Sequence, residues 1–327
     1  MINILELRPN PLSKSNGIDR YCKALRELFV DDNDISILPV ENFPMERDKL
    51  FKEKYDTAFL KELLSNKSID VVHINGYASF SVFQSFLLAK KANKKVVFTA
   101  HWHPFEYLSH PLRAKLFFYV LLKPIIKKYA DVVVTINNED TAFFKGFHKN
   151  VFQIPHWIEI KSIKENSVKK EPKMILFVGR LNDQNKGAEH LLMLPKGKYD
   201  IHCVGPSDGE LRSDITNHVN ISFEELSLLY RKASLLVVPS RYEAFSYVAM
   251  EALSLGTPVL LSERVRIADY LDGVEGVYTF NYHNKQEFCN KVESSLGKSV
   301  DVKRVLEVLS QDRMKREYRD LFLSLSE

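Results

Sequence analysis

Two glutamates in the second half of the chain flank the start of a predicted helix. Glu243 lies in a loop just after the apolar run Leu235–Pro239, and Glu251 follows about two helical turns later. Carboxylates accept hydrogen bonds from sugar and ribose hydroxyls. The free amides of the intervening helix start, Phe245–Tyr247, favour an anion such as phosphate. Because glutamates near a helix start are also common dipole partners, the spacing alone leaves both interpretations open.

Two cations upstream of these glutamates suit a diphosphate. Arg180 directly follows the apolar run Met174–Gly179, and Lys186 precedes Gly187 and a predicted helix. Arginine offers phosphate a bidentate fork, and lysine offers a compact point charge. For an isolated pair, a structural ion pair and a solvated lysine are the more common explanation.

The N-terminal half carries further candidates at predicted strand ends. Arg8 ends the first apolar run, and Asn16-Gly17 opens the next helix, where a glycine allows phosphate to approach the backbone. Asn-Gly is equally an ordinary turn, and the sequence has no G-x-G-x-x-G fingerprint. His101 and His103 follow a later strand, but their spacing points the two rings to opposite faces of an extended chain. No carboxylate cluster accompanies them, so we expect no metal site.

These candidates need a framework, and the apolar pattern predicts one. Strand-length apolar runs, several of them continuous and β-branched, alternate with segments of helical period. This alternation is typical of parallel strands covered by helices on both faces, and it predicts doubly wound α/β layers. The predicted strands are Ile2–Leu7, Ile35–Val40, Asp70–Ile74, Lys95–Ala100, Asp131–Ile136, Met174–Gly179, Tyr199–Gly205, Val219–Ser222, Leu235–Pro239, Pro258–Ser262 and Val277–Phe280. The predicted helices are 18–30, 46–65, 78–92, 112–128, 223–232, 244–255, 285–296 and 311–325.

The alternation pauses once, over residues 159–172. This stretch is polar, charged and without periodicity, which is the composition of a linker. It separates a predicted Rossmann-like domain at residues 1–158 from a second one at 173–310. The final segment, 311–327, is predicted to be a helix with no strand after it.

Composition excludes several classes of protein. The chain has 327 residues, of which 45% are hydrophobic and 27% charged, as in ordinary globular proteins. A net charge of +4 is too small for a dedicated nucleic-acid protein, so we expect no nucleic-acid partner. Three cysteines without a CxxC pair indicate neither a disulfide scaffold nor a cysteine-rich zinc site. The N-terminus has no signal-peptide pattern, and we expect a cytoplasmic protein without a membrane span.

The stretch from residue 239 to residue 259 resembles the signature of glycosyltransferase family 4, the retaining nucleotide-sugar glycosyltransferases of the GT-B fold. The matching residues are Pro239, Ser240, Glu243, Phe245, Glu251, Ala252, Gly256, Pro258 and Val259. Ser246 stands where the family usually has glycine, and its Cβ and hydroxyl narrow the approach to the donor. Arg180 and Lys186 fit the family pattern G-R-L-x(n)-K-G, with one residue more than its commonest loop. Asn16-Gly17 stands in place of a G-G pair.

The resemblance implies two Rossmann-like domains facing across a cleft, with the acceptor on 1–158, the donor on 173–310 and the helix 311–327 crossing back to the N-terminal domain. It implies that Glu243 contacts the transferred sugar and Glu251 the ribose, while Arg180 and Lys186 neutralise the diphosphate. It further implies that the backbone amides of Phe245, Ser246 and Tyr247 bind the sugar or the diphosphate, and that Gly17 contacts the donor. His101 would lie beside the reacting sugar, with His103 as the alternative. Arg8 and Asn16 would lie on the acceptor side.

The predicted function is that of a retaining glycosyltransferase. It would move a sugar from a UDP- or GDP-sugar to a saccharide acceptor in bacterial surface polysaccharide synthesis (lipopolysaccharide, O-antigen or capsule), without a metal or other cofactor. Same-face attack needs no protein nucleophile, since a diphosphate oxygen can take the acceptor proton. The alternatives are a nucleotide-sugar epimerase of the same fold and a catalytically silent sugar-nucleotide binding subunit. The retained Glu243, Arg180 and Lys186 argue against the silent subunit.

Residues 90–128 form a basic stretch, with nine lysines and arginines against Glu106 alone. Aromatic and aliphatic residues are interleaved with them, a pattern that fits anionic lipid head groups. We therefore expect peripheral association with the inner face of the cytoplasmic membrane and a lipid-linked saccharide acceptor. An amphipathic core helix with solvated lysines explains the pattern equally well.

Overall fold

The computed structural model describes residues 1–8, 17–39, 45–46, 54–76, 79–101, 112–158, 168–208 and 211–325. The chain forms two compact units. The N-terminal unit combines Met1–Trp157 with Gln311–Glu327, and the C-terminal unit is Ile158–Ser310. Most of the predicted linker, residues 159–167, lies outside the described residues.

The N-terminal unit is built on a parallel six-stranded sheet. Its strands are β1 Ile2–Leu7, β2 Ile35–Pro39, β5 Val71–Gly76, β6 Lys95–Ala100, β7 Val132–Thr135 and β8 Val151–Gln153, in the order β2-β1-β5-β6-β7-β8. A separate antiparallel pair is formed by β3 Met45–Glu46 and β4 Lys54–Tyr55. The helices are α1 Gly17–Leu28, α2 Thr57–Ser65, α3 Phe80–Lys91, α4 Leu112–Phe117, a π-helical turn Phe118–Leu122, α5 Lys123–Tyr129, α6 Asn138–Lys145 and α11 Gln311–Leu323.

Successive residues of the central strands enter two different hydrophobic cores. In β6, Val96 and Phe98 pack in the core with α2, α3 and α5, whereas Val97 packs in the core with α1 and α11. Side chains of a strand alternate between the faces of its sheet, so this division shows helices on both faces. On the second face, the hydroxyl of Tyr21 in α1 lies 2.5 Å from that of Tyr318 in α11.

The C-terminal unit repeats the same architecture. Its strands are β9 Met174–Val178, β10 Asp200–Val204, β11 Ile215–His218, β12 Leu235–Val238, β13 Val259–Ser262 and β14 Val277–Phe280, all parallel, in the order β11-β10-β9-β12-β13-β14. The helices are α7 Phe223–Lys232, α8 Tyr247–Ser254, α9 Lys285–Ser295 and α10 Val302–Val308. The predicted fold class, two doubly wound α/β layers, is confirmed.

Several local predictions were wrong. The strand expected at Val219–Ser222 lies earlier in the chain, as β11, which ends at His218. Asn220 has a φ of 56° and Ser222 caps α7, so residues 219–222 form a turn and the start of a helix. The helix expected over 46–65 begins at Thr57, because the carboxylate of Asp56 accepts a hydrogen bond from the amide of Phe59. Strand β8 and helices α6 and α10 were missed, since each is at most eight residues long.

The N-terminal unit contains buried histidines. His73 is completely buried and His156 nearly so. Burial lowers the pKa of His73 to about 3 and lowers that of His156 well below its usual value. A buried imidazole resists protonation, because its cationic form loses hydration.

We predict that acid destabilises the N-terminal unit. The folded pKa of these histidines is lower than the unfolded pKa of about 6.5, so their stabilising contribution is present above pH 6.5 and is lost as the pH falls toward 3. Both tryptophans, 102 and 157, belong to this unit, so urea unfolding followed by tryptophan fluorescence reports on it.

The urea midpoint should fall between pH 7 and pH 5, and His73→Gln should reduce that fall. The control His283→Gln, at an exposed histidine, should leave it unchanged. Equal midpoints at the two pH values would contradict the prediction.

Candidate active site

Glu243 is the centre of the candidate site in the C-terminal unit. Its side chain is largely buried, and Oε1 accepts hydrogen bonds from Lys186 Nζ at 2.7 Å and from Ser240 Oγ at 2.6 Å. Both bonds go to Oε1, and Oε2 has no hydrogen-bond partner among the described residues. One carboxylate oxygen is therefore fixed by the protein, and the other remains able to accept a bond from a ligand hydroxyl.

The backbone of Glu243 is fixed as well. It forms an isolated parallel bridge with Val265, in which the amide of Glu243 donates to Arg264 O at 3.1 Å and the amide of Arg266 donates to Glu243 O at 3.0 Å. The bridge extends the pairing of β12 and β13 beyond the carboxyl ends of both strands. Ligands of open α/β sheets bind at this edge.

The turn that carries Lys186 is organised by Asp183. The side chain of Asp183 accepts from the amide of Asn185 at 3.0 Å, and its carbonyl accepts from the amide of Lys186 at 2.8 Å. A 3₁₀ turn, Gln184–Lys186, results. It accommodates the additional loop residue and leaves Lys186 within reach of Glu243.

Gly187 packs this turn against the end of β12. Its φ is 67°, and a Cβ built on it would overlap the carbonyl oxygen of Pro239 and lie 2.9 Å from the carbonyl carbon. Beside it, the amide of Arg241 donates to Asn185 O at 2.8 Å. Only glycine meets both demands here, a left-handed backbone and contact with a neighbouring carbonyl.

Arg180 has a different environment from Lys186. It follows β9, and its Nη2 donates to Asp183 Oδ2 at 2.7 Å. Its side chain is 67% exposed, so this ion pair is surrounded by water and is weak. The same Asp183 thus shapes the turn of Lys186 and pairs with Arg180.

The first turn of α8 lies just after Glu243. Ser246 is its N-cap, with an ordinary φ of −132°, and its Oγ accepts from the amide of Ala249 at 3.4 Å. The serine that replaces the family glycine therefore caps its own helix. Phe245 packs against Tyr270 with ring centroids 6.1 Å apart, and Tyr247 is the first residue of α8.

Glu251 is held from α7. The hydroxyl of Tyr230 donates to its Oε2 at 2.8 Å, and Tyr230 is itself fully buried. The hydroxyl of Thr257 donates to the carbonyl of Tyr230 and accepts from Lys170 Nζ at 2.9 Å. These hydrogen bonds hold the side chain of Glu251, which belongs to α8, against α7. Ser222 and Glu225 form a capping box at the start of α7.

In the N-terminal unit, His101 follows β6 directly. Its Nε2 lies 3.1 Å from Asn75 Oδ1, and its ring packs against Tyr21 and stacks on His156. The side chain of Asn75 therefore holds the ring of His101 through Nε2. Burial lowers the pKa of His101 to about 3, which keeps the ring neutral.

The remaining N-terminal candidates are only partly described. Arg8 forms an ion pair with Asp19 in α1, with Nη1 2.5 Å from Oδ1. Gly17 is the first residue of α1. Asn16 and His103 lie outside the described residues. Within the described ranges, no group of three or more His, Cys, Asp or Glu side chains is arranged to hold a metal ion.

Sequence reasoning named the charged side chains and missed the neutral ones that position them. Only the structure shows that Ser240 bonds to Glu243 and that Tyr230 bonds to Glu251. Asn75, the partner of His101, ends β5 as part of an Asn-Gly pair. A polar residue at the carboxyl end of a buried strand was the available signal.

Two parallel Rossmann-like sheets, with charged side chains at the carboxyl ends of their strands, define a protein of the GT-B class. Residues 172–298 match the family model described as glycosyl transferases group 1. The match covers most of the C-terminal unit, and this part of the chain is similar to that group of glycosyltransferases.

Relatives and solved structures agree with this assignment. An uncharacterized 41.2 kDa protein in the cps region of Klebsiella pneumoniae is 28% identical over 74% of this chain and 78% of its own length. GDP-mannose:cellobiosyl-diphosphopolyprenol alpha-mannosyltransferase of Xanthomonas campestris is 23% identical over 60% of this chain and 57% of its own.

Two solved structures share the fold. Sucrose-phosphate synthase of Thermosynechococcus elongatus matches with a TM-score of 0.77 and 17% identity, over 99% of both chains. HepE of Anabaena, in complex with UDP and glucose, matches with a TM-score of 0.72 and 13% identity, over 99% of this chain and 100% of its own.

We predict that Gly187→Ala disrupts the candidate site, because the added methyl group must displace the Lys186 turn from Pro239. Turnover of a sugar-nucleotide donor should fall more than tenfold, and melting temperature should also fall. Gly197→Ala is the matched control: its φ is 73°, but nothing lies within 4 Å of the new Cβ.

The control incurs only the left-handed backbone strain, about 1–2 kcal/mol, and should keep its turnover within twofold. Equal turnover in the two variants would show that activity does not depend on the contact between Gly187 and Pro239.

Proposed function

We propose that this protein is a retaining glycosyltransferase that uses a UDP- or GDP-sugar and a saccharide acceptor. The observation that supports the proposal is the hydrogen bonding of the Glu243 carboxylate. Lys186 and Ser240 hold its Oε1, while Oε2 has no partner among the described residues, at the edge of the sheet where α8 begins. A carboxylate fixed in this way can bind a sugar hydroxyl, and the neighbouring lysine can bind the phosphate attached to that sugar.

The C-terminal unit supplies the charges for departure of the nucleoside diphosphate. When the bond between the anomeric carbon and the diphosphate oxygen breaks, negative charge develops on the diphosphate. Lys186, Arg180 and the amides at the start of α8 stabilise that charge. The acceptor hydroxyl attacks from the same face and gives its proton to a diphosphate oxygen. This route retains the anomeric configuration and needs no metal.

We assign the acceptor to the N-terminal unit, with His101 beside the reacting sugar. Its ring is neutral near pH 7, and its Nε2 is held by the side chain of Asn75. A neutral imidazole can exchange hydrogen bonds with sugar hydroxyls without adding a charge beside the anomeric carbon.

The acceptor we propose is a lipid-linked saccharide of a bacterial surface polysaccharide, met at the cytoplasmic face of the membrane. Two relatives support it: the Klebsiella protein is named for a cps region, and the Xanthomonas enzyme for a diphosphopolyprenol acceptor. No helix among the described residues is long and apolar enough to cross a bilayer. We propose peripheral association through the basic stretch 90–128.

A donor screen tests the reaction. UDP-, GDP-, ADP- and CMP-sugars are compared by thermal shift, and the stabilising donor is then incubated with and without saccharide acceptors. The anomeric configuration of the product is read by NMR. An epimerised free sugar formed without acceptor would indicate the epimerase, and binding without any turnover would indicate the silent subunit.

We predict that Lys186→Ala and Arg180→Ala each lower turnover more than tenfold while melting stays normal. Loss of one charge-stabilising contact at a developing anion costs about 2.7–4 kcal/mol in comparable sites. Lys196→Ala, an exposed lysine elsewhere in the C-terminal unit, is the control. Rates within twofold of wild type in both site variants would overturn the assignment.

We predict that transfer survives EDTA, since Lys186 and Arg180 supply positive charge for the diphosphate. Transfer is measured with EDTA in excess of any metal in the assay. Loss of transfer that manganese or magnesium restores would show a metal requirement and refute this part of the proposal.

A further inference from the structure

A cavity of about 590 Å³ lies at the edge of the N-terminal sheet opposite to His101. Its walls include Lys95, the first residue of β6, and Asp131, which precedes β7. The strands are parallel, so the amino ends that form this cavity are separated from the carboxyl ends by the length of a strand. For β6 that length is roughly 17 Å, too far for the cavity to belong to the site of His101.

The cavity is cationic and partly apolar. Lys95, Lys127 and Lys149 line it against the single carboxylate of Asp131. That carboxylate is already engaged by the amide of Val96 at 2.8 Å and by Lys95 Nζ at 3.7 Å. The surplus of positive charge favours an anion. Two aromatic rings, of Phe147 and the half-exposed Phe152, add apolar surface beside it.

An unusually exposed apolar stripe runs along the neighbouring helix. Leu112, Leu116 and Val120 are spaced by four residues and are 72%, 54% and 64% exposed. The π-helical turn Phe118–Leu122 widens the stripe, because Tyr119 and Leu121 are exposed beside Val120. Residues 112–130 contain no aspartate or glutamate.

Lys123 joins the stripe to the cavity. Its Nζ lies 5.4 Å from the ring centroid of Tyr119, which belongs to the stripe, and 4.8 Å from that of Phe147, which lines the cavity. The apolar helix face and the cationic cavity are therefore one continuous surface.

We propose that this surface docks on an anionic bilayer, with the cavity holding the phosphate-bearing head group of an anionic phospholipid and Leu112, Leu116 and Val120 entering the acyl boundary. The inference rests on the membrane association in the proposed function and assigns it a specific site, including residues beyond the basic stretch. Apolar side chains beside uncompensated lysines match an anionic bilayer, which is apolar inside and negative at its surface.

The first test is vesicle sedimentation at physiological salt, with phosphatidylcholine alone and with 30 mol% phosphatidylglycerol. Lys127→Glu/Lys149→Glu alters the cavity. The control Lys90→Glu/Lys91→Glu makes the same charge change at exposed lysines that lie in the basic stretch but outside the cavity. Wild type should bind only the anionic vesicles, the cavity variant should lose at least tenfold in affinity, and the control should lose less than threefold.

A second test places a reporter in the cavity. In Phe152→Trp, brominated phosphatidylglycerol should quench the new tryptophan, whereas in Leu192→Trp, at an exposed site in the C-terminal unit, it should not. Glycerol 3-phosphate should not release the protein from vesicles at millimolar concentration. Release would indicate that the ligand is a free phosphate ester and would overturn the lipid assignment. Binding to neutral vesicles, or self-association through the stripe, would also overturn it.

The outcomes separate the inference from the proposed function. Equal losses in the cavity and control variants would show a diffuse basic field and refute the head-group site while leaving membrane association standing. Failure of the wild-type protein to bind anionic vesicles would refute both the head-group site and the membrane association. Donor hydrolysis by wild type without vesicles tests the glycosyltransferase chemistry independently of either result.

Discussion

The candidate donor site depends on the approach of Gly187 to the carbonyl of Pro239. This contact seats the Lys186 turn on the end of β12, and the bond from Arg241 to Asn185 holds it there. Because the turn cannot move away, the lysine meets the carboxylate of Glu243 at 2.7 Å. A glycine that does no chemistry thus determines where two charged groups lie, since any Cβ would separate them.

Both glutamates of the site are positioned by neutral hydroxyls. Ser240 holds one oxygen of Glu243, and Tyr230 holds one oxygen of Glu251. A hydroxyl fixes a carboxylate without neutralising it, so the charge remains available to a ligand. Lys186 is the exception, and its ammonium has three donors, so it can keep its bond to Glu243 and still donate to a phosphate.

The sequence predicted the layers well, because continuous β-branched runs and helical periodicity are local signals. It could not predict the edge strand β11, since His218 and its neighbours are half-exposed and less apolar than the loop residues Val219 and Ile221 that follow. It named Glu243 and Lys186 from their motifs, but their contact joins residues 57 positions apart. A bond of that kind depends on how two loops meet, which no local pattern encodes.

The N-terminal sheet presents two chemically opposite edges. At the carboxyl ends of the strands, His101 is packed among aromatic rings and kept neutral by burial. At the amino ends, Lys95 and Lys149 are exposed and line the cavity. Burial removes the hydration of a cationic imidazole, which explains why the ring of His101 is neutral. A neutral ring suits a sugar with many hydroxyls, and a cationic cavity suits an anionic surface. In the proposals above, the acceptor and the membrane therefore contact different residues of one sheet.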